Sequence, residues 1–145
     1  MQRPLKFVCD AMLGKLARFL RVLGYDTIYT QEEDEVIIKK YKDRILLTKD
    51  KWLCKRFLGH CVYLNSSDVE AQLEELHITL GIPLRMPEAP LRCSLCNAEL
   101  IYVGKVGDRE MWICPKCGQP YWKGSHTKRM EEMFKRIRQK YIICS

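Results

Sequence analysis

The sequence predicts an α/β protein: a parallel β-sheet flanked by helices, followed by a small four-cysteine ribbon and a basic C-terminal helix. Three observations support this. Short apolar segments alternate with amphipathic segments in the first half of the chain, two Cys-x-x-Cys pairs follow, and cations are concentrated near the C-terminus. Alternating strands and helices are typical of parallel sheets. A length of 145 residues is enough for one core together with a small metal-held module.

The composition indicates a globular protein, because 47% of the residues are apolar and 30% are charged. No apolar run is long enough to span a bilayer, and the first residues lack the hydrophobic region of a secretory signal. We therefore expect a cytoplasmic protein with no membrane partner. In a reducing compartment, the eight cysteines are expected to be metal ligands or buried side chains rather than disulfides.

The first predicted domain covers residues 1–82 and contains four strands, each followed by a helix. Short runs of apolar and β-forming residues predict the strands at 5–9, 25–29, 44–48 and 61–64. Helical spacing of apolar residues and helix-start signals predict the helices at 11–23, 32–41, 51–58 and 68–80. Gly24 ends the first helix, and a run of acids opens the second at its positive N-terminal end. The alternation of these strands and helices predicts a parallel sheet covered on both faces.

Three aspartates are predicted at one edge of this sheet. Asp10 follows the first strand, Asp50 follows the third, and Asp34 begins the helix after the second. Right-handed crossovers place the carboxyl ends of parallel strands at one edge, where open α/β sheets bind ligands. Carboxylates gathered there would repel one another without a cation, and oxygen ligands suit Mg²⁺ or Mn²⁺. The alternative is that each aspartate only caps or begins its helix.

Cations accompany these acids on the first predicted helix. Lys15, Arg18 and Arg21 recur at three-residue spacing, so they share roughly one face of the helix. Beside an acidic metal site, they could hold the phosphates of a nucleic-acid strand. The alternative is an ordinary solvated helix face.

A semi-rigid linker is predicted at 83–91, because three prolines in this stretch prevent a helix from continuing. The second domain then covers 92–145. It ends in a basic helix predicted at 125–142 with one apolar side, formed by Met130, Met133, Phe134 and Ile137. From residue 123 to residue 140 there are seven Lys or Arg and only two Glu. Such a basic segment indicates a polyanionic partner, most commonly nucleic acid.

Four cysteines of the second domain carry the most specific signal in the sequence. Two Cys-x-x-Cys pairs, separated by seventeen residues, are typical of a structural zinc site: Cys93, Cys96, Cys114 and Cys117. A thioredoxin-type redox motif is the rival interpretation, but such motifs occur singly, at the start of a helix. The remaining cysteines are expected to be packing residues: Cys9, Cys54, Cys61 and Cys144.

The stretch between the cysteines and the basic helix combines aromatic and cationic side chains. Six residues are predicted to contact nucleic acid: Tyr121, Trp122, Lys123, His126, Lys128 and Arg129. An aromatic platform beside positive charge is suited to base stacking. The alternative is that Tyr121 and Trp122 only cover the ribbon.

Six longer motifs together resemble one protein family. They are Asp10-Ala-Met-Leu-Gly-Lys-Leu-Ala-Arg-Phe-Leu-Arg, Leu23-Gly-Tyr-Asp26, Arg44-Ile-Leu-Leu-Thr-Lys-Asp50, Gln72-Leu-Glu-Glu, Arg92-Cys-Ser-Leu-Cys-Asn97 and Tyr121-Trp-Lys-Gly-Ser-His126. In this order they resemble the Mut-seven C-terminal RNase domain family, a PIN-like nuclease fold with an appended zinc ribbon. The resemblance covers nearly the whole chain.

This resemblance implies a PIN-like α/β domain with a metal-dependent ribonuclease activity. On this basis we expect an endoribonuclease that acts on single-stranded or structured RNA. Carried over by position, Asp10, Asp34 and Asp50 resemble the catalytic set that binds Mg²⁺ or Mn²⁺, and the four ribbon cysteines resemble the zinc ligands. PIN nucleases commonly have a fourth acid, for which Asp68 is a loose candidate. The alternative function is a non-catalytic RNA-binding zinc-ribbon protein whose acidic site is vestigial.

Overall fold

The computed structural model describes residues 4–124 and 128–142. The strands are β1 (Lys6–Cys9), β2 (Asp26–Tyr29), β3 (Ile45–Thr48), β4 (Cys61–Tyr63), β5 (Ile101–Val106), β6 (Arg109–Ile113) and β7 (Pro120–Trp122). The α-helices are α1 (Gly14–Val22), α2 (Asp34–Lys40), α3 (Lys51–Arg56), α4 (Val69–Leu80) and α5 (Lys128–Ile142). A 3₁₀ turn, Ala11–Leu13, joins β1 to α1. Within the described ranges, no helix has the length and apolar character needed to cross a membrane.

The predicted strands and helices of the first half are all present, and most are one or two residues shorter than expected. Strands β1 to β4 form one parallel sheet in the order β2-β1-β3-β4. The chain therefore places β2 outside β1 on one side of the sheet and then places β4 outside β3 on the other side. This reversal leaves a crevice beyond the carboxyl ends of the two central strands, where α/β sheets bind ligands. The α/β prediction is confirmed.

Alternate residues of the central strands enter two different cores. Phe7 and Cys9 of β1 belong to a larger core, and Val8 between them belongs to a smaller one. Helices α1, α4 and α5 contribute to the larger core, whereas α2 and α3 contribute to the smaller one. Because both faces of the sheet are covered, its central strands carry runs of consecutive apolar residues, at 7–9 and 45–47, rather than an apolar residue at every second position.

The second sheet is antiparallel and has the order β5-β6-β7. Strands β5 and β6 form a hairpin between the two cysteine pairs. Strand β7 was not predicted, because it has only three residues and begins with Pro120. Proline is compatible with the first position of an edge strand, where no ladder donor is needed.

Helix α5 packs against the first sheet's helices α1 and α4. Phe134 and Ile137 have no exposed surface, and the ring of Phe134 meets the edge of Phe19 in α1, with centroids 6.3 Å apart. Leu84, which lies in the predicted linker, is buried in the same core. The core thus includes residues from all three predicted segments, and the division at 82 and 92 stays a prediction.

Part of the positive charge of α5 is used inside the chain. Arg136 pairs with Glu70 of α4 at 2.7 Å, and Lys140 pairs with Glu74 at 3.0 Å. These pairs align α5 with α4 at two points about one helical turn apart. The charge that α5 offers to a polyanionic partner is therefore smaller than the count of cations in the sequence, because these two cations already have carboxylate partners.

Cys54 and Cys61 form a disulfide that joins α3 to the start of β4. The expectation that these two cysteines are packing residues is wrong. Disulfide formation requires the two Cα atoms to approach within about 7 Å, and the fold brings them to 5.6 Å. Cys9 is buried with a free thiol, as expected. Cys144 lies outside the described residues.

We expect Phe134→Ala to lower the free energy of unfolding by about 3–5 kcal/mol, because it removes the largest side chain that α5 buries. Urea denaturation followed by circular dichroism measures the change. The adjacent Lys135→Ala is the control, since Lys135 is exposed, and its effect should stay within about 0.5 kcal/mol. Equal stability of the two variants would contradict the docking of α5 on α1.

Candidate metal centre and acidic edge

Asp10 follows β1 and has both carboxylate oxygens engaged. Its Oδ1 accepts a hydrogen bond from the Met12 backbone N–H at 3.2 Å, which caps the 3₁₀ turn. Its Oδ2 accepts one from the hydroxyl of Thr48, at the end of β3. The residue is only 8% exposed. The predicted capping role is thus present, and the carboxylate is also fixed against the neighbouring strand.

Thr48 connects Asp10 to Asp50. Its hydroxyl donates to Asp10 and accepts a hydrogen bond from the Asp50 backbone N–H at 2.9 Å. Asp50 in turn caps α3, with its Oδ1 accepting from the N–H groups of Trp52 at 2.9 Å and Leu53 at 3.2 Å. Sequence reasoning missed Thr48. The available signal was its position as the last residue of a strand, directly before the loop that carries an acid.

Asp34 is the first residue of α2 and is followed by Glu35 in its first turn. Arg56, at the end of α3, forms an ion pair with Glu35. The hydrogen bond and charge of Glu35 raise the pKa of Arg56, and the charges of Asp34 and Asp50 add to this effect. Arg56 therefore lies within electrostatic reach of both aspartates and supplies part of the positive charge at this edge.

The three aspartates are not brought within coordinating reach of one another as a set. In the described part of the chain, one group of three or more possible metal ligands has all its donor atoms within 4.8 Å, and it consists of cysteines. The assignment of Asp10, Asp34 and Asp50 to one metal site stays a prediction. Asp68, the loose candidate for a fourth acid, caps α4 by accepting from the Ala71 N–H at 3.2 Å.

The second constellation is a cluster of four thiols with their sulfur atoms within 4.8 Å of one another: Cys93, Cys96, Cys114 and Cys117. The sulfurs of Cys93 and Cys117 are 3.7 Å apart, and those of Cys96 and Cys114 are 3.2 Å apart. A tetrahedral zinc ion with Zn–S bonds of about 2.3 Å needs sulfurs about 3.8 Å apart. The donor set and its dimensions thus fit a structural zinc ion with four protein ligands.

Two thiols of the cluster are surrounded by hydrogen-bond donors. Burial raises the pKa of Cys114, but hydrogen bonds from the backbone N–H groups of Cys117 and Lys116 and from the Cys96 thiol outweigh it and lower the pKa to about 6. At Cys93, burial also raises the pKa, and hydrogen bonds outweigh it, the largest from the hydroxyl of Tyr121 at 3.2 Å. Because zinc binds thiolates, these donors favour the ligand form of both residues.

The two ligand turns have the same backbone geometry. The residue after each second cysteine is left-handed, with φ of 71° at Asn97 and 80° at Gly118. In each turn, the N–H of that residue donates to the carbonyl of the first cysteine at 2.9 Å. Glycine and asparagine tolerate this conformation better than other residues. Gly118 can be recognised from the sequence as a residue suited to a left-handed conformation. That Asn97 has the equivalent position is recognised only from the structure.

Asn97 also docks the first turn onto β2, an edge strand of the parallel sheet. Its Oδ1 accepts from the buried Thr27 backbone N–H at 2.9 Å, and its Nδ2 donates to Asp26 Oδ1 at 2.7 Å. Arg44 donates to the same carboxylate oxygen at 2.8 Å. Burial raises the pKa of Asp26, but these hydrogen bonds and the Arg44 charge outweigh it and lower the pKa. The ribbon thus covers an otherwise open sheet edge.

Arg21 belongs to this interface and not to an exposed helix face. It is 8% exposed, its Nε donates to the Thr27 carbonyl at 2.9 Å, and its Nη1 donates to the carbonyls of Ser94 at 3.0 Å and Leu95 at 3.3 Å. The expectation that Arg21 holds a phosphate is corrected: its guanidinium joins α1 to the first cysteine turn. Lys15 and Arg18, in contrast, are exposed on α1.

The two aromatic residues, Tyr121 and Trp122, have different surroundings. The hydroxyl of Tyr121 donates to Cys93 and accepts from the Ser94 N–H at 3.0 Å, so Tyr121 supports the thiol cluster, as one of the two alternatives expected. Trp122 lies under the guanidinium of Arg109 at 5.6 Å and lines a cavity of about 200 Å³ with residues that include Met130.

The other predicted nucleic-acid contacts differ in their surroundings. Lys123 pairs with Glu110 at 3.4 Å. Lys128 and Arg129 are exposed at the start of α5. His126 lies outside the described residues.

A family assignment rests on nearly the whole length of this structure. Residues 5–134 match the family described as Mut7-C RNAse domain. The chain belongs to the Mut7-C RNase domain family. The matched range includes the parallel sheet, the acidic edge, the four-cysteine ribbon and the first half of α5. No curated protein and no solved structure matches the chain.

Membership in the Mut7-C family confirms the resemblance seen in the sequence. The family description indicates a nuclease-type function with RNA as the class of substrate. The four-cysteine cluster adds a site that could hold a metal such as zinc. These two findings make nuclease chemistry the relevant chemistry for the acidic edge.

We expect one zinc ion per chain, bound by the four ribbon thiols. Elemental analysis of the purified protein measures the stoichiometry, and alkylation followed by mass spectrometry measures thiol access. The four thiols should resist alkylation until a chelator removes the metal, whereas a redox Cys-x-x-Cys would react without chelation. Rapid alkylation of the zinc-loaded protein would exclude the structural zinc site.

Asn97→Gly separates docking from metal binding. Glycine keeps the left-handed turn, so zinc content should be unchanged, but the buried Thr27 N–H loses its partner, which should cost about 1–3 kcal/mol of folding free energy. Gly118→Asn is the control, because it places the same side chain in the equivalent turn. Denaturation at constant zinc concentration measures both variants, and a stability equal to wild type for Asn97→Gly would contradict the docking role.

Proposed function

We propose that the chain is a metal-dependent endoribonuclease that hydrolyses RNA phosphodiester bonds at the edge formed by Asp10, Asp34 and Asp50. The single observation that carries this proposal is the Asp10–Thr48–Asp50 link at the point where the strand order reverses. Family membership supports the nuclease class. The position supports a ligand site, because crevices of this kind bind substrates in α/β proteins.

Thr48 has a positioning role in this proposal. Its hydroxyl fixes the Asp10 carboxylate from one side and anchors the backbone of Asp50 from the other. Capping does not exhaust either carboxylate, because an ionised aspartate has about four lone-pair directions. Asp10 and Asp50 can therefore begin their helices and still present oxygens to a cation or to water.

The oxygen donors at this edge fit Mg²⁺ or Mn²⁺ in chemical type. Asp10 and Asp50 would hold such an ion, with Asp34 completing the site or orienting water. When bound, the ion would lower the pKa of a water molecule and stabilise the leaving oxygen of the phosphodiester.

Exposed cations near the edge would bind the flanking phosphates. Lys15 and Arg18 lie on α1, which begins directly after the turn capped by Asp10. Contacts of this kind hold the backbone of the substrate without reading its sequence. The zinc ribbon, through Trp122 and Lys123, would assist RNA binding away from the edge.

A non-catalytic RNA-binding function is the second candidate, and one observation favours it. Asp10 and Asp50 each have a complete capping role, and the three carboxylates do not form a ligand group of the kind that the cysteines form in the described residues. In that case the acidic edge would only stabilise the fold. RNA binding would then survive without turnover that depends on a divalent cation.

Cleavage of a circular single-stranded RNA with Mg²⁺ or Mn²⁺ tests the enzyme, because a circle has no ends for an exonuclease. We expect Asp10→Asn and Asp50→Asn to lower the rate by at least about 100-fold, while the fold is retained because Asn caps as well as Asp. Thr48→Val should lower the rate by about 10–100-fold, and Thr48→Ser should restore it.

Asp43→Asn is the matched control, since Asp43 is exposed and precedes β3 at the opposite edge of the sheet. It should cleave at the wild-type rate. Wild-type protein that binds RNA but never cleaves it with either cation would reject the enzyme in favour of the binding module. Cleavage that persists in both aspartate variants would reject the assigned site.

A further inference from the structure

A charged groove runs between α1 and α5, with a volume of about 630 Å³. We call it the α1–α5 groove and define it by the residues that line it: Lys15, Phe19, Arg129, Met130, Glu132, Met133 and Arg136. Three of these residues are cations and one is an acid. The two helices that form its walls are more than a hundred residues apart in the sequence.

The floor of the groove is apolar and firmly held. Phe19 of α1 makes an edge contact with the buried ring of Phe134, with centroids 6.3 Å apart. Met130 and Met133 are partly buried against the same core. The two helices therefore hold a fixed relation, and the charges along the rims of the groove do not depend on a mobile segment.

The groove opens close to the acidic edge. Lys15 is five residues beyond Asp10, at the second position of α1. Phe19 is one turn further along the same helix face, about 6 Å away at 1.5 Å per residue. The groove thus extends along α1 from its N-terminal end, which follows the turn capped by Asp10. Helix α5 forms the second wall of the groove.

We propose that the α1–α5 groove binds the phosphate backbone of a single RNA strand as it leaves the acidic edge. The proposal rests on the proposed ribonuclease function, and it makes the C-terminal helix a wall of the substrate cleft. Charge complementarity selects the ligand, since the three cations Lys15, Arg129 and Arg136 outnumber the two nearby carboxylates, Glu132 in the groove and Glu70 paired with Arg136. The groove, at about 630 Å³, has room for the backbone of one strand.

The three cations differ in how they are held. Arg136 is fixed by its pair with Glu70 at 2.7 Å, so it presents a pre-oriented guanidinium. Lys15 and Arg129 are exposed. Glu132 lies among them, and its charge acts on Arg136. Because it repels phosphate, Glu132 limits the affinity of the groove, and reversing its charge should strengthen RNA binding.

The test measures RNA binding apart from cleavage, in the Asp10→Asn background. Fluorescence anisotropy with a labelled single-stranded RNA gives the affinity at several salt concentrations. Lys15→Ala and Arg129→Ala should each weaken binding roughly threefold to tenfold. Each should also reduce the slope of log K against log salt by about 0.7, the value for one lost phosphate contact on a single strand.

Charge reversal at Glu132 gives a gain of function that a folding defect cannot imitate. Glu132→Lys should tighten binding and steepen the salt slope. Glu75→Lys is the matched control, because it makes the same charge change at an exposed position of α4 outside the groove. Equal tightening by the two variants would overturn the groove and leave only a general effect of net charge.

The remaining outcomes separate the two proposals. If wild type cleaves RNA but the groove variants bind like the parent, the groove proposal fails and the ribonuclease proposal stands. If the groove variants change binding as expected but no cleavage occurs, the ribonuclease proposal fails and the groove stands as part of a binding module. Duplex RNA that binds as tightly as single-stranded RNA, with the same response to Glu132→Lys, would overturn the single-strand assignment.

Discussion

The parallel pairing of β1 with β3 is the constraint on which the rest of the structure depends. Its register sets Cys9 against Leu47, and the Asp10 N–H continues the pairing by donating to the Leu47 carbonyl at 3.3 Å. Asp10 therefore emerges beside Thr48. A slip of one residue would exchange the faces of the strand, move Phe7 out of the larger core and separate the carboxylate from the hydroxyl.

The ribbon shows how a small four-cysteine unit can be integrated into a larger fold. A three-stranded sheet has too little core to be stable on its own, and the four-cysteine cluster could hold a metal. Here the turn formed by its first cysteine pair also supplies Asn97 to a buried backbone N–H of β2, and Arg21 reaches back from α1 to two carbonyls of that turn. Binding of a metal by the four cysteines would therefore be coupled to closure of the sheet edge, because the turn that carries Cys93 and Cys96 also carries Asn97.

The basic segment near the C-terminus illustrates why net charge alone does not define a binding surface. Arg136 and Lys140 are aligned with the acids of α4, whereas Lys128 and Arg129 are exposed where α5 begins. The buried Phe134 decides this division, because it fixes which side of α5 faces the core. The groove beside α1 is lined by both kinds of cation, the exposed Arg129 and the paired Arg136.

Local patterns in the sequence determined the strands and helices of the first half, the four thiol ligands and the family, because periodicity, turn residues and ligand spacing act over short distances. The tertiary structure alone decided the link through Thr48, the Cys54–Cys61 disulfide and the buried position of Arg21. Each of these depends on which side chains the fold brings together across elements, and helical spacing cannot distinguish an exposed arginine from one that a distant carbonyl binds. For Asp10, the sequence predicted the position directly after a strand, but only the structure identified Thr48 as its hydrogen-bond partner.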